Sequence, residues 1–152
     1  MASFLFMKRM TDLQLASITA ITDPAEEDPL SEEEAEIMKK ARGRILLFYL
    51  GGPMSFSSAN GMSQQLAKFD QCDMLVLDLS DVPTIDYMTS RAIEDMIIDG
   101  QGLGRRIFLV GACGAVVEML EKQRVLGHLD EAHRHTQRIT ALRHAFRLLL
   151  KA

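Results

Sequence analysis

Three predominantly apolar runs occupy the middle of the chain. They are "RILLFYL" at 44–50, "MLVLDLS" at 74–80 and "RRIFLVG" at 105–111. Each run has the length of a strand, and the lack of polar alternation is typical of strands that are covered on both faces. The earlier segment "LQLASITAI" at 13–21 alternates instead, which predicts an edge strand.

Helical patterns separate the predicted strands. Apolar residues recur at helical spacing over 31–41, 58–69, 90–100, 114–127 and 138–152. Ser31 fits the N-cap of the first helix, and Glu34 completes a capping box with it. The segment 128–137 is compatible with a short strand or a loop, and the pattern leaves both open.

Strands that alternate with helices imply parallel pairing through right-handed crossovers. The pattern therefore predicts one α/β domain, with a mixed or parallel sheet of four to five strands and helices packed on it. The domain is expected over 13–152, with an acidic insertion at 22–43 and an N-terminal arm at 1–12. A chain of 152 residues is long enough to bury a substantial core.

Charge and cysteine content narrow the class of protein. The net charge of −4 argues against a nucleic acid as partner, because proteins that bind nucleic acids usually carry a basic stripe. Cys72 and Cys113 lie in or beside apolar runs, so a disulfide framework is not expected and a reducing compartment is the simpler interpretation. No stretch reaches the ~18 apolar residues that a membrane span needs.

The first ten residues, "MASFLFMKRM", place an apolar run before two basic residues. This order is expected where a membrane helix leaves the bilayer on the cytoplasmic side. The alternative is an arm that packs Phe4, Leu5 and Phe6 on the domain or on a partner.

Ligands of open α/β sheets usually bind beyond the carboxyl ends of the strands. The turn at 51–58 lacks the P-loop pattern, whereas "GACGAV" at 111–116 runs from strand to helix. Free N–H groups at that helix start could hold an anion, so a nucleotide-binding module stays an alternative. The need for a tight turn explains the glycines equally well.

The third turn contains Asp86, Tyr87, Met88, Thr89 and Ser90. Thr89 or Ser90 fits a helix N-cap, with Glu94 in capping-box range. The nearby aspartates could serve acid–base chemistry or bind Mg²⁺, but the turn holds no Lys or Arg that could grip a phosphate. We therefore predict no catalytic residue here.

The four histidines include a His-x-His pair. If 133–135 is extended, His133 and His135 point to one side, as two metal ligands would. No cysteine or dedicated carboxylate completes a ligand set, so solvated surface histidines and no metal site are predicted for His128, His133, His135 and His144.

Three segments taken together resemble a known family. They are "ILLFYLGGPMSFSSANGMSQQL", "LVLDLSDVPTIDYMTSRAIEDM" and "RIFLVGACGAVVEML". This combination resembles the STAS domain, which is shared by SulP-type anion transporters and by bacterial anti-sigma factor antagonists. The opening "FLFMKRMTDLQ" is similar to the segment by which SulP transporters pass from the last membrane helix into that domain.

The resemblance implies a non-enzymatic regulatory and dimerisation domain without a cofactor. The expected location is the cytoplasmic face of the inner membrane. The expected partners are the transmembrane domain of the same transporter and a second copy of the chain. Within the transporter branch, the sequence is most similar to cyanobacterial bicarbonate transporters. Phe4, Leu5, Phe6 and Leu13 are the candidate subunit contacts.

One departure from the family concerns the third turn. In the antagonists, the residue after the equivalent of Asp86 is typically a serine that a kinase phosphorylates. This chain has Tyr87 there, followed by Met88, while Thr89 and Ser90 are out of register. The phospho-switch is therefore predicted to be lost and the turn to be a contact surface. The alternative is a free-standing, phospho-regulated antagonist-like binding protein.

Overall fold

The computed structural model describes residues 17–25, 28, 30–52, 54, 56–69 and 71–151. Five strands form one sheet in the order β1-β2-β3-β4-β5. The strands are β1 Ser17–Ile21, β2 Ile45–Gly51, β3 Met74–Asp81, β4 Arg106–Val110 and β5 Arg134–His135. The helices are α1 Glu32–Ala41, α2 Phe56–Leu66, α3 Tyr87–Gly102, α4 Ala115–Lys122 and α5 Arg138–Lys151. Two short 3-10 turns, Leu126–His128 and Glu131–His133, connect α4 to β5.

The sheet is mixed. Strands β2 to β5 run parallel, whereas β1 pairs with β2 antiparallel, with Ser17 opposite Gly51. The predicted α/β class and the edge position of the first strand are confirmed. Of the two predicted forms of the sheet, mixed or parallel, the mixed form is the one observed, because β1 is antiparallel to β2. Ile21 at the end of β1 lies opposite Leu47 near the start of β2, so the chain leaves β1 and enters β2 at the same end of the sheet.

Each central strand contributes alternate residues to two apolar layers. Leu46, Phe48 and Leu50 of β2 face the layer formed with α2, α3 and α4, while Ile45 and Leu47 face the layer formed with α1 and α5. All five side chains are fully buried. Burial on both faces explains why these strands appear in the sequence as continuous apolar runs.

The capping box of α1 is confirmed, since Glu34 N donates to Ser31 Oγ at 3.1 Å and Ser31 N donates to Glu34 Oε1 at 2.9 Å.

Helix boundaries differ from the predictions mainly at two places. Helix α4 ends at Lys122 instead of 127, because Arg124 adopts a left-handed conformation with φ of 60°. Helix α3 begins at Tyr87, one turn earlier than predicted.

The segment that the pattern left open, 128–137, contains a strand of two residues, β5. No helix among the described residues has the length and apolar content that a membrane crossing needs.

Candidate functional site

The start of α3 is the site that the sequence singled out. Asp86 is the N-cap, and its Oδ1 accepts a hydrogen bond from Thr89 N at 2.7 Å. The predicted N-caps, Thr89 and Ser90, are therefore wrong, because an aspartate with extended backbone takes that position three residues before Thr89. Asp86 directly before the helical pattern was the signal that could have identified the cap.

The turn before Asp86 is joined to the turn after β2. Gly52 N donates to Asp81 O at 3.0 Å, and Met54 N donates to Thr84 O at 3.1 Å. Met54 also forms an isolated parallel bridge with Ile85, and both side chains are buried. The α3 start thus has a fixed position relative to the carboxyl ends of β2 and β3.

The side chains of this site divide into an inner and an outer pair. Thr89 and Ser90 are fully buried, and Ser90 Oγ donates to Tyr87 O at 2.6 Å. Tyr87 and Met88 are 50% and 48% exposed. The hydroxyl groups therefore face the interior, while two large side chains form an apolar patch on the surface.

Glu94 does not take part in a capping box at the α3 start, contrary to expectation. Its carboxylate forms an ion pair with Arg91 at 2.9 Å and contacts His128 Nε2 at 3.2 Å. Glu94 is nearly buried and thereby links α3 to the 3-10 turn Leu126–His128.

The aspartates near the turn have separate structural partners. Asp78 is buried, accepts hydrogen bonds from Ser80 N at 3.0 Å and Ser80 Oγ at 2.6 Å, and lies 3.2 Å from Arg138 Nε. Asp81 accepts a hydrogen bond from the Tyr49 hydroxyl. This hydrogen bond, together with burial, raises the pKa of Tyr49 above its ordinary value.

The turn after β4 owes its glycines to backbone geometry. Gly111 has φ of 69° and lies against Ser80, and Gly114 has φ of 55° as the N-cap of α4. These conformations favour glycine whether or not an anion binds. The nucleotide-binding alternative therefore gains no support beyond the sequence pattern.

The prediction of solvated histidines is right for His128, which is exposed, and wrong for the other three. His133, His135 and His144 are half-buried and surround Phe108, with ring centroids 4.6, 6.3 and 5.2 Å from its ring. The sequence could not show this, because His144 comes from a different element. Among the residues that the structure describes, no set of three His, Cys, Asp or Glu is arranged to hold a metal ion.

The four candidate subunit contacts in the N-terminal part, Phe4, Leu5, Phe6 and Leu13, lie outside the described residues.

Comparison with known proteins identifies the class. The family model described as "STAS domain" matches residues 36–137, which is more than half of the chain. This span runs from within α1 to the start of α5 and includes the α3 start with its apolar patch. The chain belongs to the STAS domain family.

One relative that the chain resembles is a transporter. "Bicarbonate transporter BicA" of Synechocystis sp. is 35% identical over 144 residues, which are 95% of this chain and 26% of the relative. The chain therefore spans about a quarter of that protein's length.

Two solved structures agree on the fold. A sulfate transporter family protein from Wolinella succinogenes has a TM-score of 0.65 at 16% identity, covering 87% of this chain and 99% of that one. The SulP transporter STAS domain from Vibrio cholerae has a TM-score of 0.61 at 17% identity, covering 80% and 100%. The family and the fold class that the sequence predicted are confirmed.

Proposed function

We propose that this chain is the non-enzymatic, cytoplasmic domain by which a SulP-type anion transporter is regulated and dimerises, and that the transported anion is bicarbonate. The observation that carries the proposal is the 35% identity to a bicarbonate transporter over 95% of the chain. Under this proposal the transport site lies in a transmembrane domain outside this sequence. The domain itself lies at the cytoplasmic face of the inner membrane.

A domain of this kind acts through differences in contact energy. If it contacts the membrane domain more strongly in one transporter state, it shifts the population towards that state. About 5.5 kcal/mol of differential contact suffices to invert a 1:99 population. Tyr87 and Met88 are candidates for such a contact, since both are about half exposed at the rigidly capped start of α3.

Regulation by a serine or threonine kinase at this turn is not part of the proposal. Thr89 and Ser90 are fully buried, and Ser90 Oγ is hydrogen-bonded to the backbone. A kinase would have to unfold the first turn of α3 to reach either hydroxyl group. The burial supports the prediction that the family's phospho-switch is lost here.

A chimeric transporter tests the contact with the membrane domain. The matching C-terminal segment of Synechocystis BicA is replaced by this chain, and bicarbonate uptake is measured at equal surface expression. We expect uptake by the chimera and a strong loss with Tyr87→Asp and Met88→Asp, because a charge in an apolar contact is costly.

The matched control is Leu150→Asp, which alters a side chain that is 70% exposed on α5. Equal losses in all three variants would show that the α3 start is not the contact. A chimera that reaches the membrane but does not transport would count against the assignment.

Light scattering coupled to size-exclusion chromatography tests dimerisation. We expect the 152-residue chain to form a dimer at high concentration and a chain shortened to 13–152 to dimerise less. This expectation rests on the proposed contacts of Phe4, Leu5 and Phe6. A strictly monomeric full chain contradicts it.

A further inference from the structure

The edge of the sheet opposite β1 is formed by a very short strand. Strand β5 has two residues, Arg134 and His135, which pair with Leu109 and Val110 of β4. Beyond this ladder, Gly111 N donates to His135 O at 2.8 Å. A ladder of two residue pairs contributes little stability. Side-chain contacts must therefore supply most of the interactions that hold residues 131–136, here called the edge segment, against β4.

A pair of histidines joins the edge segment to the last helix. His135 Nε2 and His144 Nδ1 lie 3.1 Å apart, within hydrogen-bond distance, and their rings meet edge to face. His144 also meets His133 edge to face, with ring centroids 5.4 Å apart. Since a histidine–histidine hydrogen bond needs one acceptor nitrogen, at least one ring must be neutral.

The charged groups around this pair do not favour protonation. Burial, His133 and Arg147 lower the pKa of His135, and burial, His133, His135 and Arg147 lower that of His144. The carbonyl of Ala132 acts in the opposite direction on both rings. β4 presents the apolar ring of Phe108 to both.

The nearby carboxylates are engaged with other cations. Glu131 pairs with Arg134 at 3.6 Å on the edge segment itself. Glu33 of α1 pairs with Arg143 of α5, with Nε and Oε1 2.8 Å apart. If both histidines were protonated, most of the charged groups near them would therefore also be positive.

We propose that His135 and His144 form a proton-sensitive latch that releases the edge segment from β4 and α5 at mildly acidic pH. When both rings are protonated, neither has an acceptor nitrogen, so the hydrogen bond is lost and two cations face each other. The first proton can be shared within the bond, and the second opens the latch. The pair consequently titrates as a coupled unit.

Opening changes the surface of the domain at a defined place. It uncovers the edge of β4, where Leu109 and Val110 are buried in the closed form. It also removes one wall of a partly open cavity of about 140 Å³, whose lining includes Leu109, Val117, Leu126 and His135. An unpaired strand edge exposes backbone N–H and C=O groups that are hydrogen-bonded in the closed form.

Amide hydrogen exchange of the 152-residue chain tests the latch. The amide of Gly111 reports on the edge segment, and the amides of Val76 and Leu77 in β3 serve as reference. Exchange is compared at pH 7.5 and 5.0 after correction for intrinsic rates. We expect the protection of Gly111 relative to β3 to fall at least about tenfold, because an open state that binds one more proton gains up to tenfold per pH unit.

Two variants separate the latch from general acid destabilisation. His144→Gln keeps a hydrogen-bonding group without the charge, so Gly111 should keep its protection at pH 5.0. His128→Gln, at an exposed histidine that contacts Glu94, should behave like the wild type. The proposal is overturned if wild-type protection is the same at both pH values, or if His144→Gln loses protection as the wild type does.

A direct titration covers the case in which His144→Gln does not fold. Imidazole resonances of the wild-type chain give the ionisation of each ring by NMR. Two titration steps of the coupled pair, with the second midpoint below 6.5, the ordinary histidine value, support the latch. A second midpoint at or above that value overturns it.

Discussion

Arg138 at the start of α5 lies 3.2 Å from Asp78 in the central strand β3, and both side chains are largely buried. The same guanidinium lies 3.3 Å from Glu34 of α1 and 5.4 Å from the centre of the Tyr49 ring. Asp78 and Glu34 are 1% and 8% exposed. One arginine of α5 therefore compensates two nearly buried carboxylates and links α5 to α1, β2 and β3.

Replacing Arg138 by methionine should lower the free energy of unfolding by about 3 kcal/mol. The aliphatic part of the side chain is retained, but two carboxylates lose their counter-charge in a buried position. Urea unfolding followed by circular dichroism measures the loss at neutral pH.

Arg143→Met is the matched control for this prediction. Arg143 also links α5 to α1, through Glu33, but both side chains of this pair are about half exposed. Solvent-exposed pairs contribute below about 1 kcal/mol. Losses of equal size in the two variants would show that burial does not determine the strength of the Arg138 network.

Asp86→Ala should destabilise the domain by about 1 kcal/mol, because Thr89 N loses the capping acceptor 2.7 Å away. Asp86→Asn, which keeps a capping oxygen, should lose less. Chemical denaturation of both variants checks the order. Since the cap fixes where α3 starts, we also expect faster amide exchange at Thr89 in Asp86→Ala, and unchanged exchange there would contradict the assigned cap.

Gly111→Ala should destabilise the domain more than Gly114→Ala. Both glycines have positive φ, a backbone conformation that disfavours a residue with a Cβ atom. At Gly111 the new Cβ atom would also lie 2.8 Å from Ser80 Cα, whereas at Gly114 nothing lies within 4 Å. Thermal unfolding of the two variants gives the difference, and equal transition temperatures would contradict the close approach of β3.

Tyr49 should ionise above its ordinary pKa of 10.0, since its hydrogen bond to Asp81 and its burial favour the neutral phenol. The chain has two tyrosines, so Tyr87→Phe leaves Tyr49 as the only phenol. A spectrophotometric titration of this variant should show a midpoint above 10.0 in the folded state and near 10.0 in denaturant.

The raised pKa of Tyr49 also determines how the free energy of unfolding changes with pH. Between the unfolded and the folded pKa of Tyr49, the native state holds a proton that the unfolded state has released. Stability should therefore be independent of this group below pH 10.0 and fall as the pH rises through the folded pKa. Tyr49→Phe should remove this part of the alkaline loss, and an unchanged alkaline profile would contradict it.

Sequence patterns predicted a feature correctly where that feature depends on a single strand or helix. The apolar runs that became β2, β3 and β4 identified the buried strands, because a strand covered on both faces has no polar alternation. Ser31 and Glu34 identified the start of α1, because a capping box needs only four consecutive residues. The segments that resemble the STAS domain identified the family, which the family model confirms.

The sequence singled out the turn before α3 as the candidate site but did not show which of its side chains are exposed. Tyr87 and Met88 on the surface and Thr89 and Ser90 inside follow from the orientation of α3 against the sheet. That orientation depends on the packing of α3 side chains such as Ile93 and Ile97, and no turn motif encodes it.

The sequence by itself determined the strands β1 to β4 and the five helices, where α1 is capped, and which family the chain belongs to, because these depend on spacing between near neighbours; it left β5 open. Only the tertiary structure decided that β1 runs antiparallel, that Asp78 meets Arg138, and that His135 meets His144. The partners of each contact belong to different elements, so their meeting depends on how the helices pack on the sheet.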